Sequence, residues 1–142
     1  MTPRLISTEN KTAAIELLRK NNLPTEDLSD NTMIFIIEEN QMVIGTIGIE
    51  AGTKDGLLRS LSVSEEHRGK GYGELLVGHL EKYARDRGIE ELYLLTTTAE
   101  KFFDRRGYAV IRREEVSPFI RSSAEFNSSC PSSAVVMKKT LA

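Results

Sequence analysis

The chain has 142 residues, 39% of them hydrophobic and 28% charged, with a formal net charge of -2 at pH 7. This supports one domain over residues 1–142, and the near-balanced charge gives no general attraction to nucleic acid or to an anionic membrane. No apolar stretch approaches the ~20 residues of a membrane span, the N-terminus has no basic-then-apolar leader pattern, and the single cysteine, Cys130, excludes an internal disulfide and fits a reducing cytoplasm.

A short strand is expected around Pro3 to Ser7. A helix from Glu9 to Lys20 follows, begun by Ser7 or Thr8 and ended by Asn21, Asn22 and Pro24, with Ala14, Leu17 and Leu18 as its buried stripe. Residues 25–31 read as a loop or one helical turn. Met33–Glu38 and Met42–Glu50 form a hairpin turned at Glu39-Asn40. A turn over 52–56 leads to a strand at Leu57–Val63, whose polar and apolar residues alternate toward its end.

A helix is expected over 71–87, with Tyr72, Leu75, Leu76, Leu80, Tyr83 and Ala84 at helical spacing and Gly88 as its stop. An apolar strand, Leu92–Thr97, and a short helix, Ala99–Arg106, come next. Tyr108–Arg112 and Ala134–Thr140 are the last strands, separated by a Pro- and Ser-containing segment without clear periodicity. Strands that first cluster and then alternate with helices point to a mixed sheet covered on both faces.

The most informative string is Arg68-Gly69-Lys70-Gly71-Tyr72-Gly73, set between a strand and a helix. Glycines there permit tight turns and left-handed backbone. Successive N–H groups can then converge on one anion at a helix N-terminus, where the macrodipole adds about half a positive charge. A P-loop is excluded because Lys70 is followed by Gly71 and no Ser or Thr is placed for magnesium. A Rossmann fingerprint is disfavoured by Glu74, where a third small residue is needed, and by the three strands that come before. The alternative is a Gly-rich turn that merely starts a helix.

Arg68, Gly71 and Gly73, approached through Leu61-Ser62-Val63-Ser64-Glu65-Glu66-His67, resemble the acyl-CoA motif R/Q-x-x-G-x-G/A of the GNAT superfamily of N-acetyltransferases. The resemblance extends over nearly the whole chain. It implies the GNAT fold, an α/β (α+β mixed type) arrangement with a central, mostly antiparallel sheet of about seven strands and helices on both faces. In that fold the strands corresponding to Leu57–Val63 and Leu92–Thr97 splay apart and admit the pantetheine arm. It further implies acetyl-CoA as cosubstrate, a small-molecule amine as acceptor, no metal, and room for a homodimer.

Residue by residue, the resemblance gives the backbone of Leu61 and Val63, with Ser62 between them, to the pantetheine amides. It gives Arg68, Gly69, Lys70, Gly71, Tyr72 and Gly73 to the pyrophosphate. Phe102 and Phe103 would flank the coenzyme, or simply pack in the core. Two positions depart from the family pattern: Arg59 stands where many members carry a Glu base, and Phe103 where many carry a Tyr acid. Arg59 could hold a substrate carboxylate or another oxyanion, or pair on the strand face with Glu50 or Glu38. Thr96, Thr97 and Thr98 could orient the amine or a water, with Thr97 the catalytic candidate among them, or cap the next helix.

The string around Glu125, Phe126, Cys130 and Pro131 resembles a GNAT subgroup of arsenic-resistance N-acetyltransferases, and the acetyltransferase domain of bacterial amino-acid acetyltransferases. It implies an amino-acid-like acceptor, with or without arsenic, and places Phe126 at the substrate. Cys130 becomes a second catalytic candidate, against the commoner reading of a small buried hydrophobe. His67, His79 and Cys130 have no metal-ligand spacing. Two rival readings stay open: a non-catalytic acyl-CoA-binding or sensory module, and an acetyltransferase acting on protein amines.

Overall fold

The computed structural model describes residues 2–26, 28, 31–129 and 133–141. In chain order the strands are β1 (Arg4–Leu5), β2 (Thr32–Glu39), β3 (Met42–Ala51), β4 (Asp55–Val63), β5 (Glu91–Thr96), β6 (Ala109–Ile111) and β7 (Val135–Thr140). The helices are α1 (Lys11–Lys20), α2 (Tyr72–Asp86), α3 (Glu100–Asp104) and a single turn, α4 (Pro118–Arg121). The seven strands make one sheet in the order β1-β2-β3-β4-β5-β7-β6. Only β4 with β5 is parallel among the neighbouring pairs, so the expected mixed, mostly antiparallel sheet is present.

Side chains alternate across a strand, and the two faces of β2 show what covers each. Phe35 and Ile37 join Ile47, Ile49, Leu58 and the α2 residues Leu76, Val77 and Leu80 in the main core. Ile34 and Ile36 point the other way, onto Ala14 of α1. Further along that second face, Leu57, Tyr93 and Val136 pack against Val116 and Ile120 from the segment around α4. Helices therefore cover both faces.

Several boundaries differ from the sequence expectation for local reasons. Only Arg4 and Leu5 pair with β2, so the first strand is shorter than Pro3–Ser7. The first α-helix starts at Lys11, because Thr8–Asn10 forms a tighter turn closed by the Ser7 amide donating to Asn10 Oδ1 at 2.8 Å. The hairpin turns through Asn40 and Gln41, both left-handed with φ of 52° and 65°, as a two-residue turn matched to strand twist requires. The segment before β7 is ordered by local caps: Ser117 Oγ accepts from the Ile120 amide at 3.4 Å, with Pro118 opening α4.

Candidate active site

The site begins with a gap in the sheet. β4 and β5 pair only from Asp55–Leu57 to Glu91–Tyr93, although β4 continues to Val63 and β5 to Thr96. Beyond Leu57 the two strands diverge. The Ser64 amide donates to the Ile44 carbonyl at 2.8 Å, and Thr46 lies opposite Ser62 with Gly45 opposite Val63. Antiparallel alternation then turns the Ser62 backbone groups toward β3 and those of Leu61 and Val63 into the gap.

A bulge sets that phase. The β3–β4 register shifts between Thr46 and Gly48, and Ser60 sits in the left-handed region at φ 58°, an uncommon conformation for serine. Buried Thr46 stabilises it, with Oγ1 donating to the Ser60 carbonyl at 2.7 Å and lying 2.6 Å from Ser62 Oγ. The extra residue lets Arg59 and Ser62 share one sheet face.

From the gap a cleft of about 960 Å³ runs along Leu61, Ser62 and Val63 to the loop before α2. Gly69 and Gly71 are left-handed at φ 78° and 86°, and Gly71 is the residue that opens α2. Gly73 serves differently: its φ is not positive, and a Cβ there would meet Phe102 Cζ at 3.1 Å. The loop thus offers backbone donors at the N-terminal end of a 15-residue helix. Tyr72 is half-buried along the cleft, and Lys70 is solvent-exposed. Arg68 bends back from the loop, Nε donating to the Val63 carbonyl at 3.1 Å and Nη2 to Asn21 Oδ1 at 2.6 Å. It fastens the end of α1 to β4, and Lys20, Asn21 and Leu23 become one wall of the cleft.

The two phenylalanines of α3 separate. Phe102 lines the cleft beneath Arg106, whose guanidinium carbon lies 4.0 Å from the ring centroid and whose fork also pairs with Glu74. Phe103, about 100° further around the helix, is buried against Tyr108 at 5.4 Å between centroids. The core-packing alternative therefore describes Phe103, and Phe102 is the one at the cleft. Tyr108 donates to Glu81 Oε2 at 2.8 Å, and Lys139 holds the same carboxylate at 3.0 Å. Burial, then the charge of Glu81, push the Tyr108 phenol well above its ordinary value. Burial, then the charge of Lys82, lower His79, whose ring meets Phe35 edge-on at 4.7 Å. His67 accepts or donates at Nδ1 with Ser64 Oγ, 2.6 Å away.

On the face away from α2, Arg59 is buried beside the divergence. Its Nη1 donates to Glu50 Oε2 at 2.7 Å, its Nε lies 3.2 Å from Glu125 Oε2, and Nε also reaches Ser60 Oγ at 3.1 Å. The strand-face ion pair expected with Glu50 or Glu38 is thus made with Glu50. Glu125, 66 positions away, is a partner that periodicity gives no sign of. Phe126 packs against the cluster that also holds Leu57 and Leu95. Thr96 Oγ1 accepts from the Ala99 amide at 3.0 Å in the turn just before α3, where Ala99 holds the N-cap position, while Thr97 is exposed just past β5. Cys130 and Pro131 lie outside the described residues. Among the described residues no group of three or more His, Cys, Asp or Glu is placed to hold a metal ion, and no helix is long and apolar enough to cross a membrane.

The model of the Acetyltransferase (GNAT) family matches residues 4–108, from β1 through the loop and both diverging strands. The chain belongs to the GNAT family. It is 40% identical over 81 residues to an uncharacterised N-acetyltransferase of Chlorobaculum tepidum, covering 56% of this chain and 52% of that protein. It is 33% identical over 75 residues to an amino-acid acetyltransferase of Ralstonia nicotianae, covering 51% of this chain and 17% of that protein. The chain therefore spans about half the length of the first relative and far less of the second. Among solved structures it is similar to N-acetylglutamate synthase of Neisseria gonorrhoeae complexed with coenzyme A and N-acetyl-glutamate, with a TM-score of 0.81, 20% identity, and coverage of 99% of this chain and 35% of that one. At that identity the likeness is one of fold.

Proposed function

We propose that this GNAT domain transfers the acetyl group of acetyl-CoA to the nitrogen of a small, amino-acid-like amine. The observation that carries the reading is the continuous cleft from the gap-facing amides of Leu61 and Val63 to the left-handed glycines that open α2. In this reading the loop from Arg68 to Gly73 takes the pyrophosphate, with backbone N–H groups as the main donors and Lys70 adding charge at the rim. Leu61 and Val63 pair with the pantetheine amides, and Phe102 lies along the arm. The thioester then emerges where β4 and β5 part, with Thr96 and Phe126 bordering the acceptor. Thr97 and Cys130 are the proposed proton-handling side chains.

The amine attacks the thioester carbonyl carbon, the C–S bond breaks, and the thiolate leaves with a proton to give the amide and free thiol. Holding both reactants supplies effective molarities of ~10⁵ M or more, against ~10²–10⁴-fold from a placed acid or base. An amine of pKa about 8, near the peptide α-amino value, is roughly a tenth neutral at pH 7, whereas a lysine amine near 10.4 is not. Free amino acids have higher α-amino values than a peptide terminus, so the support for this acceptor class is the amino-acid acetyltransferase relative.

The test is thiol release from acetyl-CoA with free amino acids, an arsenic-containing amino acid, and peptides as acceptors. Release with free amino acids is the expected result. Coenzyme binding without release from any acceptor identifies a non-catalytic acyl-CoA module, and a preference for peptides identifies a protein acetyltransferase.

A further inference from the structure

We infer that the acceptor carries a carboxylate, and that this carboxylate replaces Glu125 on Arg59. The inference rests on the acetyl-transfer reading and names the substrate class for the same site. Arg59 stands two residues past the last β4 residue paired with β5, with its side chain fully buried. Two of its partners among the described residues are carboxylates on unlike supports. Glu50 belongs to β3, is locked into the sheet, and also accepts from Thr32 Oγ1 at 3.4 Å. Glu125 opens a five-residue π-helical turn, Glu125–Ser129, a rare backbone form that recurs at functional sites.

That turn is anchored without Glu125. The Asn127 amide donates to the Ser123 carbonyl at 3.1 Å, Asn127 Nδ2 to the Arg121 carbonyl at 2.7 Å, and Ser123 Oγ to the Ile120 carbonyl at 2.7 Å. The Glu125 side chain can therefore leave Arg59 while the backbone stays in place. Phe126 beside it packs against the cluster of Leu57, Tyr93, Val116, Ile120 and Val136, which Leu95 also joins, on the face opposite α2. Removing a carboxylate from a buried guanidinium is costly unless another arrives. Exchange of one carboxylate for another keeps the charge of the site and the donor geometry of the fork. An amine without a carboxylate offers no such exchange. Glu125 then acts as an internal competitor, and the apparent acceptor affinity is reduced by the fraction of molecules in which Arg59 is open.

The test compares acceptors that differ only in the carboxylate: L-leucine with isopentylamine, L-phenylalanine with 2-phenylethylamine, and L-methionine with 3-(methylthio)propylamine. The readout is the ratio of KM values within a pair, in which losses common to both acceptors cancel. The wild-type chain should favour the amino acid. Glu125→Gln should shift the ratio further toward the amino acid, by roughly 10-fold as the competitor is removed. Arg59→Met should shift it toward the plain amine by roughly 100-fold, with Arg59→Lys as the milder variant if Arg59→Met does not fold. Equal KM values within each pair, or a Glu125→Gln ratio that is unchanged or moves toward the amine, overturn the carboxylate exchange and leave acetyl transfer standing. Wild-type turnover of no member of any pair overturns the exchange, and if no other amino acid, arsenic-containing amino acid or peptide releases thiol either, with coenzyme still bound, acetyl transfer falls with it.

Discussion

At the scale of single residues, the phosphate loop shows three glycines used for two reasons. Gly69 and Gly71 are needed for φ, Gly73 for the closeness of Phe102. Gly71→Ala should lower stability by about 1 kcal/mol through left-handed strain and raise the KM for acetyl-CoA, read by denaturant titration and initial rates. Tyr108→Phe removes the hydroxyl that donates to buried Glu81, and should destabilise by about 1–2 kcal/mol without altering the KM for either substrate. His79 is held below its ordinary value of 6.5 by burial and then by Lys82, so the fold favours its neutral form. That contribution is complete above pH 6.5 and is lost as pH falls through the lower folded value. Urea midpoints at pH 7.5 and pH 5 should therefore lie closer together in His79→Gln than in the wild type.

At the scale of elements, the bulge in β4 decides which amides and side chains meet the gap. Thr46→Val removes the hydroxyl shared by the Ser60 carbonyl and Ser62 Oγ. A loss of about 1–3 kcal/mol is expected, together with a higher KM for acetyl-CoA as Leu61 and Val63 lose their alignment. The hairpin, α2 and β5 were legible in the sequence because period and stop signals agree there. The bulge was not, since a left-handed serine in an otherwise ordinary strand leaves no compositional trace. The segment after β6 hid its order for another reason: its elements are three to five residues long, too short for periodicity. Ser117-Pro118 is nonetheless a helix-start signal present in the sequence. The Arg59–Glu125 pair depends on tertiary placement across 66 positions, and only its Glu50 half lay within reach of strand-pairing logic.

At the scale of the whole molecule, α2, α3, β4 and the end of α1 meet around one cleft, so a ligand bound there ties together elements distant in the chain. Binding to the folded state alone should stabilise it by about 2.7 kcal/mol at 100 times Kd. For a domain of this size that is a rise in Tm of roughly 10 °C. The claim on which the site rests is that the loop from Arg68 to Gly73 holds a diphosphate while the divergent strands hold the thioester arm. Calorimetric titration of coenzyme A and of pantetheine, which lacks the diphosphate, into the wild type and Gly71→Val tests it most directly. The account predicts that the wild type binds coenzyme A much more tightly than pantetheine, and that Gly71→Val removes most of this difference. Equal affinity for the two ligands, or a Gly71→Val variant that still prefers coenzyme A as strongly as the wild type, would contradict it.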